Sequence, residues 1–219
     1  MKTKITIAAL LSVLFINAAS AESPVNGNVG TKFASDYHRR GAQLSNEAIQ
    51  AQVGFNVGVG GVDLFGDFHT NQGTDSEIDT NELTVGLGAD LFDDKLSAYV
   101  GLYNTDSTNT SNDLEAYASL SLSTVLSPSI SVYRDTDDAL YTFEGTISHT
   151  FDLNIANLQL AGILGNTDAT AVQEYTYTGA KATLSKTVND INLYTDIGIT
   201  DTESRDNETV WGVGLSVKF

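Results

Sequence analysis

A two-residue alternation of apolar with small or polar side chains recurs along this chain often enough to decide what it can become. In the closing stretch VWGVGLSVKF, Trp211, Val213, Leu215, Val217 and Phe219 fall on one side, and Gly212, Gly214, Ser216 and Lys218 on the other. That is a strand with one apolar face. The same pattern predicts roughly twelve strands, near residues 28–37, 47–57, 62–70, 80–91, 96–104, 113–123, 129–135, 139–151, 156–165, 174–185, 191–200 and 209–219. Their length suits a tilted membrane-crossing strand, ~9–11 residues. One face is uniformly aliphatic, as in Ile49-Val53-Val57, Leu83-Val85-Leu87 and Leu114-Ala116-Ala118-Leu120. The other carries Gly, Ser, Thr, Tyr and acid.

The connections alternate as well. Those after even strands are short, as in 57–61, 92–95, 126–129, 151–154 and 188–190. Those after odd strands are mostly longer and acidic, as in 71–82, 104–113, 135–138, 165–174 and 201–208. Short turns at one end and long polar loops at the other mark a closed antiparallel transmembrane barrel. A soluble sandwich would also alternate; strand number, strand length and loop asymmetry favour the barrel. About twelve strands are expected, with ten as the alternative because the seventh is weak. The only prolines are Pro24 and Pro128, both outside the predicted strands.

Residues 1–21 read as a signal peptide, with Lys2 and Lys4, an apolar run from Ile5 to Ile16, and Ala-Ser-Ala before Glu22. The run is well short of the ~20 apolar residues of a spanning helix. Residues 22–219 then form one barrel domain. Loss of the two lysines takes the formal charge from −17 to −19, which disfavours nucleic acid and anionic surfaces as partners. The sequence has no cysteine, which excludes a disulfide scaffold and thiolate metal sites.

Two resemblances sharpen this reading. The alternating stripe ending in Phe219 is similar to the last strand of bacterial outer-membrane barrels, whose terminal aromatic is read by the assembly machinery. Trp211, Val213, Leu215, Val217 and Phe219 would be that signal. Ser35-Asp36-Tyr37-His38-Arg39-Arg40-Gly41, with Gln50 and Gly54-Phe55, resembles the S-D-Y-x-F-R-G opening of a family of uncharacterised Gram-negative outer-membrane barrels of porin type. Arg39 stands where that family has an aromatic.

With the aliphatic face towards lipid, Asp36, Asp63, Asp67, Asp90, Glu115, Glu144 and Asp196 point inward against Lys32, Lys181 and Lys218. An acidic, water-filled lumen favours cations. Lys32, Asp36, Asp63, Asp67, Glu115, Glu144 and Asp196 are therefore the candidate pore-lining residues, with Lys32 expected to act on the field near Asp36. The rival arrangement joins these charges to the inward tyrosines as a plug. The acidic cluster Asp135-Thr136-Asp137-Asp138 lacks the spacing of a calcium loop. A lipid-face hydrolase would need a Ser beside a His; His149 falls in that register with no Ser neighbour, His69 points inward, and His38 is expected in the first loop. Arg134 falls on the lipid side, either reaching the interface or turned inward by a bulge.

The expected function is passive passage of small solutes across a Gram-negative outer membrane, biased towards cations, without cofactor, metal or chemical step. The alternative is a closed structural or adhesive barrel acting through its acidic loops; a secreted soluble β protein is a third. Expected partners are outer-membrane lipid and lipopolysaccharide, the barrel assembly machinery, and small solutes or cations. The chain carries no signature of oligomerisation, and a monomer is the default.

Overall fold

The computed structural model describes residues 25–40, 42–59, 61–74, 79–108, 112–137, 140–168, 174–203 and 205–219. The predicted signal peptide lies outside these residues, as do Asp138 and parts of the predicted long loops. Twelve strands follow one another in chain order: β1 (Val25–Arg39), β2 (Ala42–Val59), β3 (Val62–Gly73), β4 (Thr80–Leu91), β5 (Leu96–Ser107), β6 (Asp113–Leu122), β7 (Ser129–Asp135), β8 (Tyr141–Asp152), β9 (Asn157–Asp168), β10 (Glu174–Val188), β11 (Ile191–Thr202) and β12 (Arg205–Lys218). Each pairs antiparallel with its sequence neighbours, and β1 pairs with β12 to close the barrel. Closure leaves no open sheet edge along the paired register, the condition for a sheet to cross lipid.

Exposure identifies the solvent of each face. Ile130, Leu164, Ile197, Val100 and Val213 are 53–63% exposed, and all lie on the outward register. Among the described residues, the fully buried large side chains are instead Tyr177, Asn71, Thr80, Thr105 and Ser45. A water-soluble barrel would bury the aliphatic residues and expose the polar ones. This inversion assigns the outer surface to lipid and rules against the soluble reading.

The short turns are tight: Phe92, Asp93, Asp94, Ser127, Asn154 and Asn189 all have positive φ. Asn and Asp tolerate that region better than most residues. At this turn end Phe219 exchanges backbone hydrogen bonds with Gly27 at 2.8 and 3.0 Å. At the opposite, loop end of the seam, Phe33 and Trp211 pack with ring centroids 5.8 Å apart. Tyr141 and Phe143 stack near the loop end of β8 at 6.2 Å. Aromatics at two heights suit the two membrane interfaces.

Strand bounds differ from expectation chiefly in β1 and β2, expected over 28–37 and 47–57 but running to Arg39 and from Ala42. Their extra length is not wall. The β1–β12 ladder stops at Ala34↔Gly212 and the β2–β3 ladder at Ala48↔Gly73, whereas β1 and β2 stay paired to Arg39↔Ala42. His38, expected in a loop, therefore lies in β1. For Arg134, the unshifted registers β6–β7 and β7–β8 set it opposite Ala116 and Tyr141, outward and exposed. No bulge turns it inward.

Candidate functional site: the lumen and its hairpin cover

Freed from the wall, the tip of the β1–β2 hairpin bends into the barrel mouth. Two irregularities permit the bend: a register shift between Tyr37 and His38, and a positive φ of 46° at Glu47. A bulge of this kind turns a strand and re-aims its side chains. The tip then meets strands on the far side of the lumen. Arg40 presents both terminal nitrogens to the two carboxylate oxygens of Glu115 on β6, one of these contacts at 2.5 Å. Its guanidinium lies 4.2 Å from the centre of the Tyr133 ring. Arg39 reaches Glu115 at 3.4 Å and Asp113 at 3.7 Å, and sits 5.0 Å over Tyr103. The Tyr175 hydroxyl donates to the Arg40 carbonyl at 3.3 Å.

These contacts are partly withdrawn from water: side-chain exposure is 13% for Arg40 and 8% for Glu115. Burial alone would lower the Arg40 pKa, but the hydrogen-bonded Glu115 carboxylate outweighs it and holds the guanidinium above its ordinary value. A planar fork matched to a carboxylate is the strong form of such a pair. Nearer the hairpin's base, the Tyr37 hydroxyl donates to Glu82, which also lies 3.5 Å from His69. His38 lies 3.1 Å from Glu208 of β12. The hairpin is thus fastened to β4, β6, β10 and β12.

The expected pore-lining residues all face the lumen, at different heights and with different partners. Lys32 bonds Asp196 at 2.9 Å across the closing strands; Asp36, its expected neighbour in the field, accepts instead from Gln43 at 2.8 Å. Asp67 accepts from Gln52 at 3.0 Å and Glu144 from Tyr177 at 2.8 Å. Asp63 stands opposite Gly58 and Gly88 near the turn end. Glu115 is drawn into the arginine pair. Space remains on either side of the hairpin tip. A cavity of about 340 Å³ lies against the tip, lined with it by Tyr103, Tyr117, Tyr133 and Glu144. Another, about 290 Å³, lies beyond the arginines against Asp113, Asp135 and Tyr175. A third of about 540 Å³ is bounded by Lys32, Asp36, Gln50, Gln159, Lys181 and Asp196.

Inward tyrosines lean on glycines of adjacent strands. A Cβ built on Gly88 would stand 2.8 Å from the Tyr99 ring, and one on Gly101 2.9 Å from Tyr117. Tyr117 in turn stacks on Tyr133 at 5.8 Å. Outside the lumen, His149 Nδ1 lies 2.6 Å from the Val125 carbonyl and its ring packs edge-on against Phe151; Leu160 stands opposite it. The hydrogen-bond partner of His149 Nδ1 is thus a backbone carbonyl and not a serine hydroxyl. Among the described residues, no group of His, Asp and Glu is arranged to hold a metal.

Sequence reasoning missed the hairpin contacts, and with them the roles of Arg39, Arg40 and Glu82. The available signal was the Arg39-Arg40 pair itself, two of only 11 Lys and Arg, in an otherwise acidic chain and followed by a glycine.

Comparison with known proteins yields the fold. No family model matches the chain, and no curated protein matches it by sequence. Solved structures do. The KdgM porin superposes with a TM-score of 0.59 at 16% identity, covering 88% of this chain and 99% of that one. An outer-membrane channel from Pseudomonas putida F1 gives 0.57 at 12% identity, covering 89% and 95%. LpxR from Salmonella typhimurium gives 0.57 at 8% identity, covering 87% and 99%. At these identities the likeness is one of architecture: a closed outer-membrane-type barrel.

Proposed function

We propose that this chain is a porin-like channel of a Gram-negative outer membrane that passes small solutes by diffusion, favours cations, and is covered at its mouth by its own β1–β2 hairpin. The observation that carries the proposal is the inward placement of Asp36, Asp63, Asp67, Asp90, Glu115, Glu144 and Asp196 against few cations. Carboxylates in a narrow aqueous lumen walled by low-dielectric material raise the local cation concentration. Lys32 and the two tip arginines subtract from that field locally, because they are bound to Asp196 and Glu115. Asp67 and Glu144 take hydrogen bonds from the neutral donors Gln52 and Tyr177.

In this reading the loop end faces outwards, export uses residues 1–21, and assembly uses the stripe from Trp211 to Phe219. Lipopolysaccharide surrounds the outer girdle. No chemical step is assigned. The hairpin cover also gives substance to the second reading, a closed barrel acting through its loops. The deciding experiment is the reversal potential of single reconstituted barrels across a KCl gradient. The channel reading expects a cation-selective potential that falls towards zero in Asp67→Asn and Glu144→Gln. Silence from folded, inserted protein, persisting after the hairpin contacts are removed, would install the closed-barrel reading instead.

A further inference from the structure

The tip arginines show what the far wall of the mouth recognises. Glu115 meets a guanidinium through both oxygens, Asp113 approaches a second one, and Tyr133 and Tyr103 offer ring faces at 4.2 and 5.0 Å. A carboxylate fork beside an aromatic face is complementary to a flat, delocalised cation. A compact ammonium has no planar pair of parallel N–H donors to meet both oxygens while lying flat on a ring. The wall residues come from β5, β6 and β7, whose positions are fixed by unbroken registers with their neighbours. The arginines come from a hairpin that has left the wall. Receptor and occupant are therefore separate elements, and cavities of about 340 and 290 Å³ give a solute room beside the occupied position.

From this juxtaposition we infer that Tyr103, Asp113, Glu115 and Tyr133 form a binding site at the mouth for solutes bearing a guanidinium or similar planar organic cation. Arg39 and Arg40 fill it in the solute's absence. An arriving solute takes the tip's place, and the hairpin yields. The inference rests on the channel reading for its physiological sense and names the class of solute that the channel would admit. Binding does not depend on conduction. Tethering raises the effective concentration of the tip, so a free solute competes only at millimolar levels or above in the intact protein. Removing Arg40 frees the Glu115 fork and the Tyr133 face, the half of the site that Arg40 occupies, while Arg39 stays at Tyr103 and Asp113.

The experiment compares methylguanidinium with tetramethylammonium at equal ionic strength, on folded barrels verified by heat-modifiable gel migration. Calorimetry on detergent-solubilised Arg40→Ala protein should show methylguanidinium bound about tenfold more tightly than tetramethylammonium. In the same background Glu115→Gln should erase the difference and Tyr133→Leu reduce it. In intact reconstituted barrels, methylguanidinium should raise the KCl current before it blocks; in Arg40→Ala it should only block. Equal binding of the two cations by Arg40→Ala, or a preference that survives Glu115→Gln, overturns the site. Absence of KCl current in every variant overturns the channel reading, and the calorimetric result stands apart from it.

Discussion

Gly86 and Gly58 both face the lumen, and they differ in what surrounds them. A Cβ on Gly86 would lie 2.5 Å from the Val100 carbonyl oxygen, 2.7 Å from the Phe65 ring and 3.1 Å from the Gly101 Cα. Two of those three neighbours are backbone and cannot step aside. A Cβ on Gly58 would meet only the Asp63 carboxylate, at 3.4 Å. Gly86→Val should therefore lower the unfolding free energy in urea, measured in detergent micelles, by roughly 1–3 kcal/mol. Gly58→Ala should change it by no more than about 0.5 kcal/mol. Equal effects would mean that the glycines answer to strand propensity and not to the Phe65 ring and backbone packed on Gly86.

The β1–β2 hairpin is the element whose behaviour a strand count does not disclose. Cutting residues 37–45 and joining Asp36 to Asn46 through two glycines removes every tip contact and leaves the Ala34↔Ala48 pairing and the wall ladders beyond it in place. The trimmed protein should still migrate as a folded barrel and should conduct severalfold more current than the intact one. Unchanged conductance would show that solutes already pass beside the hairpin. Wall and hairpin differ in the same way in how legible they were. The two-residue period located all twelve strands, β4 and β7 to the residue, because each wall residue faces lipid or water and the alternation records which. The inward register of Asp63, Asp67, Glu115 and Glu144 was legible for the same reason. Residues 37–40 and 43–46 follow no such alternation. Their positions depend on contacts with Glu82, Glu115 and Glu208, between 45 and 170 residues away in sequence. Period alone carries no information about such pairs, so β1 looked shorter than it is and Glu115 looked like a bare lumen charge.

For the molecule as a whole, stability has to come from ladders and from lipid. Among the described residues only Ala34, Ala48, Val53 and Tyr177 are buried hydrophobics, so no apolar interior drives collapse in water. Removing the terminal aromatic, Phe219→Ala, should reduce the folded, heat-modifiable fraction inserted in cells far more than the fraction refolded into detergent in vitro. Equal losses in the two settings would assign Phe219 to packing over Gly27 alone. The seam where Phe219 sits carries a further consequence. Eleven of the twelve strand pairings join sequence neighbours and can form as local hairpins, but Asn28↔Lys218 joins strands about 190 positions apart. Bringing such distant segments together costs more chain entropy than any hairpin does. Until β12 arrives, β1 and β11 each present a raw edge. The growing sheet is therefore a curved ribbon with two reactive margins, and shutting it is a single late event that no earlier pairing can replace.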